Sequence, residues 1–391
     1  MSLTPGFSAP EFVTSQKVTV SDRNPIRVLH LHAGNLYGGV ETLLVTLARL
    51  RCLCPGMEPH FALCYEGRLS RELRAAGVPV HILGGARIRN PWTVWRANRR
   101  LRALLRSERF HVICHMPWPL VVFGRTARAG AQKLILWAHS AHNGRSRLER
   151  MARRTVPDLV ISNSHYVTAS LSNLFPTTPT RLLYYPLELA AAPEAALWRT
   201  AIRREQAAGD ETTVIIQVSR FEAWKGHLLH LNSLAKLNTA KDWVCWMVGG
   251  PQNPQEERHY HEVRETAERL GLTSRVRFLG QRSDVLKLLA GADIFCQPNE
   301  GPEPFGIVFV EALWAQRPIV TTALGGALEI LNESCGVLVE PANPDALAAA
   351  LRLLIESPDL RSRLGNAGPA RARQLCDPAA QIAMLYHALE G

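Results

Sequence analysis

The run Asn299-Glu300-Gly301-Pro302-Glu303-Pro304-Phe305-Gly306-Ile307-Val308-Phe309-Val310-Glu311-Ala312-Leu313 decides how the second half of the chain is read. Two prolines and two glycines make Gly301 to Gly306 a turn, and the apolar residues that follow read as a helix. Glu303 therefore lies in the loop and Glu311 inside the helix, which climbs roughly 7 to 8 Å from Gly306 to Glu311. The free N–H groups of the first turn form a seat for a phosphate, with Phe305 and Ile307 on either side of Gly306. One acid stands at that seat and the other a turn and a half behind it. The layout suits a sugar nucleotide, with sugar hydroxyls at Glu303, the diphosphate at the helix start and ribose hydroxyls at Glu311. Glu311 sits between Val310 and Ala312 in an apolar run, an expensive place for an unpaired charge. That position favours a ligand over a solvated helix face.

Glu, seven residues, then Glu-Ala, with Phe-Gly between the acids, resembles the signature of the retaining glycosyltransferases of family 4 (glycosyl transferases group 1). The resemblance implies an α/β chain of the GT-B fold, two doubly wound Rossmann-like domains facing a cleft. The hydrophobic pattern agrees. Ile26 to His32, Phe61 to Tyr65, Val80 to Leu83, Val112 to His115, Leu134 to Ala138 and Leu159 to Ser162 read as buried parallel strands, each followed by loop and helix. Around Tyr184 to Pro193 the pattern breaks into a Pro- and Ala-rich linker. A second series follows at Val214 to Val218, Trp243 to Val248, Val276 to Leu279, Ile294 to Gln297, Ile319 to Thr322 and Gly336 to Val339. The expected organisation is a loose tail over 1–24, a Rossmann-like acceptor domain over 25–190, a nucleotide-sugar donor domain over 191–376, and a helix over 377–391. Asp377 caps that helix, and in the GT-B fold it returns to the first domain.

Each half adds candidates at strand ends, where open α/β sheets bind ligands. After the first strand come Gly38 and Gly39, followed by Val40-Glu41; adjacent glycines let backbone N–H groups approach a phosphate or sugar closely. The pair resembles the family's Gly-Gly-x-Glu loop, which faces the cleft. In the second half, Ser219-Arg220-Phe221-Glu222-Ala223-Trp224-Lys225-Gly226 follows a strand. Arg220 and Lys225, five apart, both reach a diphosphate, one as a fork and one as a point charge. This is similar to the family's Gly-Arg-x-x-x-x-Lys-Gly motif, with Ser219 where a Gly is usual. His139 ends the strand Leu134 to Ala138, and the resemblance places such a His beside the transferring sugar, positioning it by a hydrogen bond or its backbone. The histidine doublets (30/32, 139/142, 227/230, 259/261) lack partners at a recognised metal spacing, so no metal is expected. Leu183 to Glu188 stands where the family usually has an Asn-Gly turn ending in Asp, and Gln316 replaces a common Gly.

The 391 residues are 47% hydrophobic with a formal charge of +11, enough for two cores. No run of eighteen apolar residues appears, the first 25 residues lack the pattern of a secretion signal, and the eight cysteines are scattered. A cytoplasmic protein with reduced thiols is the expectation. Residues 1–190 carry 25 Lys and Arg against 10 Asp and Glu, and the remainder 20 against 24. Arg96, Arg99, Arg100, Arg102, Arg106 and Arg109 accompany Trp95, Leu101 and Leu105, read as one apolar face of a basic amphipathic helix. An ordinary packed helix and contact with an anionic membrane surface, at the inner face of the plasma membrane, both account for it. No nucleic-acid motif accompanies the charge.

The resemblance implies transfer of a sugar from a nucleotide diphosphate, UDP or GDP, to a hydroxyl of a saccharide or lipid-linked acceptor in polysaccharide or glycolipid synthesis, with retention. His139, Arg220, Lys225 and Glu303 are the expected catalytic set. The donor would be held by Gly38, Gly39, Arg220, Lys225, Glu303, Phe305, Gly306, Ile307 and Glu311, with no metal or other cofactor. A GT-B sugar-nucleotide epimerase and a non-catalytic sugar-nucleotide-binding subunit are the alternatives.

Overall fold

The structure is a computed structural model, and it describes residues 25–391 except 35, 36, 189–193, 238 and 240. The expected tail over 1–24 and the second half of the Pro- and Ala-rich linker, 189–193, lie outside the described residues. Continuous apolar runs with turn residues between them produce fully buried parallel strands. The first sheet contains β1 (Ile26–His32), β2 (Met57–Leu63), β3 (Val80–Ile82), β4 (His111–His115), β5 (Lys133–Ala138), β6 (Leu159–Ser162) and β7 (Thr180–Leu182), in the order β3-β2-β1-β4-β5-β6-β7. The second contains β8 (Thr213–Val218), β9 (Trp243–Val248), β10 (Val276–Gly280), β11 (Ile294–Gln297), β12 (Ile319–Thr322) and β13 (Gly336–Val339), in the order β10-β9-β8-β11-β12-β13. Every pairing is parallel. Two doubly wound α/β units result, as the pattern predicts. The strand missed by the sequence reading, β7, is a three-residue edge strand with no buried residue; it lacks the apolar run that reveals the others.

In each sheet the winding reverses between the first and fourth strands, β1 beside β4 and β8 beside β11. Such a reversal opens a crevice at the C-terminal strand ends. The two crevices collect the loops after β1 and β4 in one unit and after β8 and β11 in the other. Those loops carry most of the motifs singled out in the sequence.

The helix Pro378–Glu390 starts where the Asp377 side chain accepts from the Ala380 N–H at 2.8 Å. It lies against the first unit, where Lys133 Nζ donates to the Leu389 carbonyl at 3.1 Å. The preceding helix, Pro358–Cys376, packs closely on the end of Ile307–Trp314 because it presents glycines there. A Cβ at Gly365 would stand 2.3 Å from the Gln316 carbonyl oxygen, and one at Gly368 2.3 Å from that of Leu313.

The basic helix runs over Pro91–Ser107 and buries Ala97, Leu101 and Leu105. Trp95 is not on that face. Six residues from Leu101, it is turned roughly 120° away at 3.6 residues per turn, stands 49% exposed and stacks on exposed Trp92 at 4.7 Å.

The close glycine contact yields a test of the fold. Gly368→Ala should lower stability by about 1–3 kcal/mol, read as a lower urea midpoint. An unchanged midpoint would show that the two helices are not held at this spacing.

Candidate functional site

The loop after β8 and the loop after β11 are tied to each other. Lys225 Nζ lies 2.5 Å from Glu303 Oε2, with each side chain about 12% exposed. The same oxygen accepts from Asn299 Nδ2 at 3.2 Å and Gln297 Nε2 at 3.4 Å. Glu303 Oε2 is thus fully engaged, while Oε1 has no partner among the described residues. Two glycines permit this closeness. Gly226 has φ +72°, and a Cβ there would overlap the Pro298 carbonyl oxygen at 1.8 Å; Gly325 has φ +57° and would meet the Glu303 carbonyl oxygen at 2.4 Å. The Glu303 carbonyl also accepts from the Gly326 N–H at 2.7 Å. The Lys225 ammonium lies 3.9 Å from the Trp224 ring centroid, and its backbone carbonyl accepts from Gln217 Nε2 at 3.0 Å.

Arg220 is held by carboxylates instead of standing free. Its Nη2 pairs with Glu256, a buried residue, and Nη1 lies 3.5 Å from Glu222. Glu256 also accepts from the Gln252 N–H at 2.8 Å, and Gln252 Nε2 donates to the Tyr37 carbonyl across the cleft at 3.1 Å.

Gly306 begins the helix Ile307–Trp314 with φ +101°. A Cβ there would meet the Phe309 ring at 2.4 Å, so the loop turns into the helix only with glycine. No side chain caps this N-terminus. One and a half turns further, Glu311 is partly open to solvent but deeply surrounded by protein. Desolvation pushes its carboxyl up to about 7, and it has no hydrogen-bond or ion-pair partner among the described residues.

The first unit faces these loops. Gly38 is the N-cap of Gly39–Arg49, and its N–H donates to Glu41 Oε2 at 2.8 Å; Glu41 Oε1 lies 2.7 Å from His32 Nε2. A Cβ on Gly39 would touch Ile307 at 3.5 Å, so the glycine pair and the Gly306 helix start are opposed across the cleft. Phe305 is buried against Tyr184 and Tyr185, at 5.5 and 5.3 Å between ring centroids.

His139 is placed differently from the expected sugar contact. Both ring nitrogens are occupied by protein, Nδ1 2.5 Å from the Tyr185 hydroxyl and Nε2 2.9 Å from His115 Nδ1; His115 Nε2 in turn lies 2.9 Å from His30 Nδ1. Burial holds the His139 and His115 rings well below the ordinary imidazole range and His30 at about 3. The ring is neutral and both its nitrogens are committed to protein, and its backbone carbonyl accepts from Asn163 Nδ2 at 3.5 Å. Among the described residues no group of three His, Cys, Asp or Glu is arranged to hold a metal ion.

The structure thus brings Arg220, Lys225, Glu303, Phe305, Gly306, Ile307, Glu311, Gly38 and Gly39 to one cleft, and sets the His139 ring behind it. Gln297, Asn299, Glu256 and Tyr185 went unassigned in the sequence. Asn299 lay in the quoted stretch, and its position at a strand end was the available signal.

The two units and the cleft between them have the GT-B architecture. Over residues 199–371 the chain matches the family described as Glycosyl transferases group 1, and over residues 37–189 that described as Glycosyltransferase Family 4; the chain belongs to this glycosyltransferase family. It is 30% identical over 193 residues to D-inositol 3-phosphate glycosyltransferase of Corynebacterium glutamicum (strain R), covering 47% of this chain and 46% of the relative. It is 31% identical over 185 residues to the alpha-1,3/1,6-mannosyltransferase ALG2 of Homo sapiens, covering 44% of each. The matched segments span about half the length of these curated relatives. The fold is similar to that of Anabaena HepE in complex with UDP-glucose, with TM-score 0.81, 22% identity and coverage of 93% of this chain and 99% of that one.

Glu311 gives a test with opposite signs for stability and binding. Its folded value near 7 lies above the unfolded one near 4.5. The folded state is therefore favoured at low pH, and that contribution is lost as pH rises from about 4.5 through 7. At pH 8, Glu311→Gln should be more stable than the parent by on the order of 1 kcal/mol. The same variant should bind a nucleoside diphosphate more weakly and flatten the rise of parental affinity between pH 6 and 8. Denaturation and calorimetry read both, and lower stability of the variant at pH 8 would show that Glu311 has a partner.

Proposed function

We propose that this chain transfers a sugar, with retention, from a nucleoside diphosphate to a hydroxyl of a saccharide or lipid-linked acceptor. The observation carrying the reading is the tie of Lys225 to Glu303 three residues before the uncapped helix start at Gly306, with Arg220 on the same loop as Lys225 and Glu311 unpartnered a turn and a half along the helix. The uncapped helix start suits a diphosphate, which Lys225 and Arg220 reach by exchanging carboxylate contacts for phosphate ones, and Glu303 Oε1 and Glu311 suit the hydroxyls at its ends.

Glycosidases that retain configuration use two carboxyl groups about 5 Å apart, one of them a nucleophile. Here Glu303 is tied to Lys225, Asn299 and Gln297 through one oxygen. Ion pairing weakens it as a nucleophile but leaves Oε1 to hold a sugar hydroxyl. A front-face displacement follows, in which the leaving diphosphate takes the acceptor proton while Lys225, Arg220 and the helix N–H groups stabilise its growing charge. No metal is required in this scheme. His139 contributes through its backbone and through the Tyr185 hydroxyl that it anchors.

The reading extends to a cytoplasmic enzyme working at an anionic membrane surface in polysaccharide or glycolipid synthesis. Arg89, Arg96, Arg99, Arg102 and Arg106 are exposed around the stacked, exposed Trp92 and Trp95, a cationic surface with aromatic anchors. No helix among the described residues is long and apolar enough to cross a membrane.

Lys225→Ala should lower kcat by about 10²–10³ while donor affinity falls only several-fold; equal losses in both would contradict the leaving-group role. Activity abolished by chelation and restored by magnesium would refute the metal-free scheme.

A further inference from the structure

The N–H groups of Arg220 are only partly engaged. Nη2 pairs with Glu256, Nε has no partner among the described residues, and Nη1 lies 3.5 Å from Glu222, longer than a good hydrogen bond. The two carboxylates around it are held very differently. The Glu222 side chain is part-exposed and has no other partner among the described residues. Glu256 is buried and fixed from several sides.

Glu256 stands three residues after Asn253, the N-cap of the helix Pro254–Arg269. Asn253 Oδ1 accepts from the Glu256 N–H at 3.0 Å, and Asn253 Nδ2 donates back to Glu256 Oε1 at 2.7 Å. Glu256 Oε2 accepts from the Gln252 N–H at 2.8 Å. A carboxylate tied through both oxygens holds its cation in one orientation. The loop that carries it, after β9, also presses on the loop that carries Arg220. Gly249, at φ +142°, leaves no room for a Cβ against the Ser219 carbonyl.

Gln252 faces two ways. Its backbone N–H holds Glu256, while its side-chain Nε2 donates at 3.1 Å to the Tyr37 carbonyl of the first unit. Tyr37 is itself clamped. Its hydroxyl donates to Glu72 at 2.5 Å, and the Arg68 guanidinium, paired with Glu72 at 2.7 Å, lies 3.7 Å from the ring centroid. Gly38 and Gly39 follow Tyr37 directly. The Gln252 amide therefore registers the glycine loop of the first unit against the carboxylate that orients Arg220.

We infer that Glu256 and Gln252 are positioning residues for the donor: Glu256 aims Arg220 Nη1 at the sugar-linked phosphate of a nucleoside diphosphate, and Gln252 makes that aim depend on the first unit's glycine loop. The inference rests on the glycosyltransferase reading of the cleft. Arg220 shares its loop with Lys225, the partner of Glu303, so it serves the phosphate on the sugar side and not the one beside the ribose. Glu256 stays on Nη2 when the phosphate arrives, and the loosely held Glu222 is the contact displaced. A guanidinium already oriented loses less freedom on binding than one that must be ordered by its ligand.

Calorimetry on the full-length protein tests this by comparing UDP with UMP, or the diphosphate and monophosphate of whichever base binds. UMP lacks the outer phosphate and serves as the internal control. Glu256→Gln should weaken UDP roughly tenfold and leave UMP unchanged. Gln252→Ala, which keeps the N–H that holds Glu256, should weaken UDP about threefold. Both losses should vanish on an Arg220→Ala background, because both residues act through that guanidinium. Should Glu256→Gln not fold, Glu256→Asp, which keeps the charge but withdraws it, carries the same expectation. Unchanged UDP affinity, equal weakening of UDP and UMP, or a loss that persists without Arg220 overturns the inference. A parent that binds no nucleoside diphosphate refutes the donor reading and the inference with it, a result distinct from variants that match a binding parent.

Discussion

The buried contact between Lys225 and Glu303 is the constraint around which the second unit's ligand face is assembled. Two opposite charges 2.5 Å apart, each almost removed from water, are stable only when their remaining hydrogen-bonding capacity is met, and breaking such a pair costs roughly 3–5 kcal/mol. Asn299 and Gln297 meet it on one side of the carboxylate. Because Lys225 belongs to the loop after β8 and Glu303 to the loop after β11, the pair closes the crevice made by the sheet's reversal of winding. Gly226 and Gly325 are required by that closure, since any side chain at either would overlap the opposing backbone.

From this loop the structure continues to the other unit. Phe305, two residues from Glu303, is clasped by Tyr184 and Tyr185 of the connecting segment. Tyr185 in turn anchors His139 and accepts from Asn163 at 3.0 Å. Glu329 accepts the backbone N–H groups of His165 and Tyr166 and the Tyr184 hydroxyl. The Glu303 loop, the connecting segment and the first unit are therefore joined by direct contacts.

Much of this was legible in the sequence because fully buried parallel strands are written as unbroken apolar runs. The turn residues before Gly306 also mark a helix start irrespective of its partners. The acids at 303 and 311 could be read as a pair for the same local reason. What local pattern does not encode is who meets whom. Glu256 as the partner of Arg220, 36 residues away, carries no signature in either segment. The His30-His115-His139 chain joins three strands whose histidines look like separate core residues. Trp95 was assigned to the buried face of its helix on hydrophobicity alone, and angular position excludes it. The edge strand β7 is too short and too exposed to show a period.

Glu311 is the point where fold and function pull in opposite directions, an unpartnered acid kept in a protein-walled site at a cost to stability. The central claim is that a nucleotide's ribose pays that cost. A thermal-shift titration of the parent and Glu311→Ala with UDP, GDP, ADP and dTDP tests it most directly. The account predicts a saturable upward shift with one nucleotide in the parent and its loss in the variant. No shift with any nucleotide, or a shift that survives in Glu311→Ala, would contradict it.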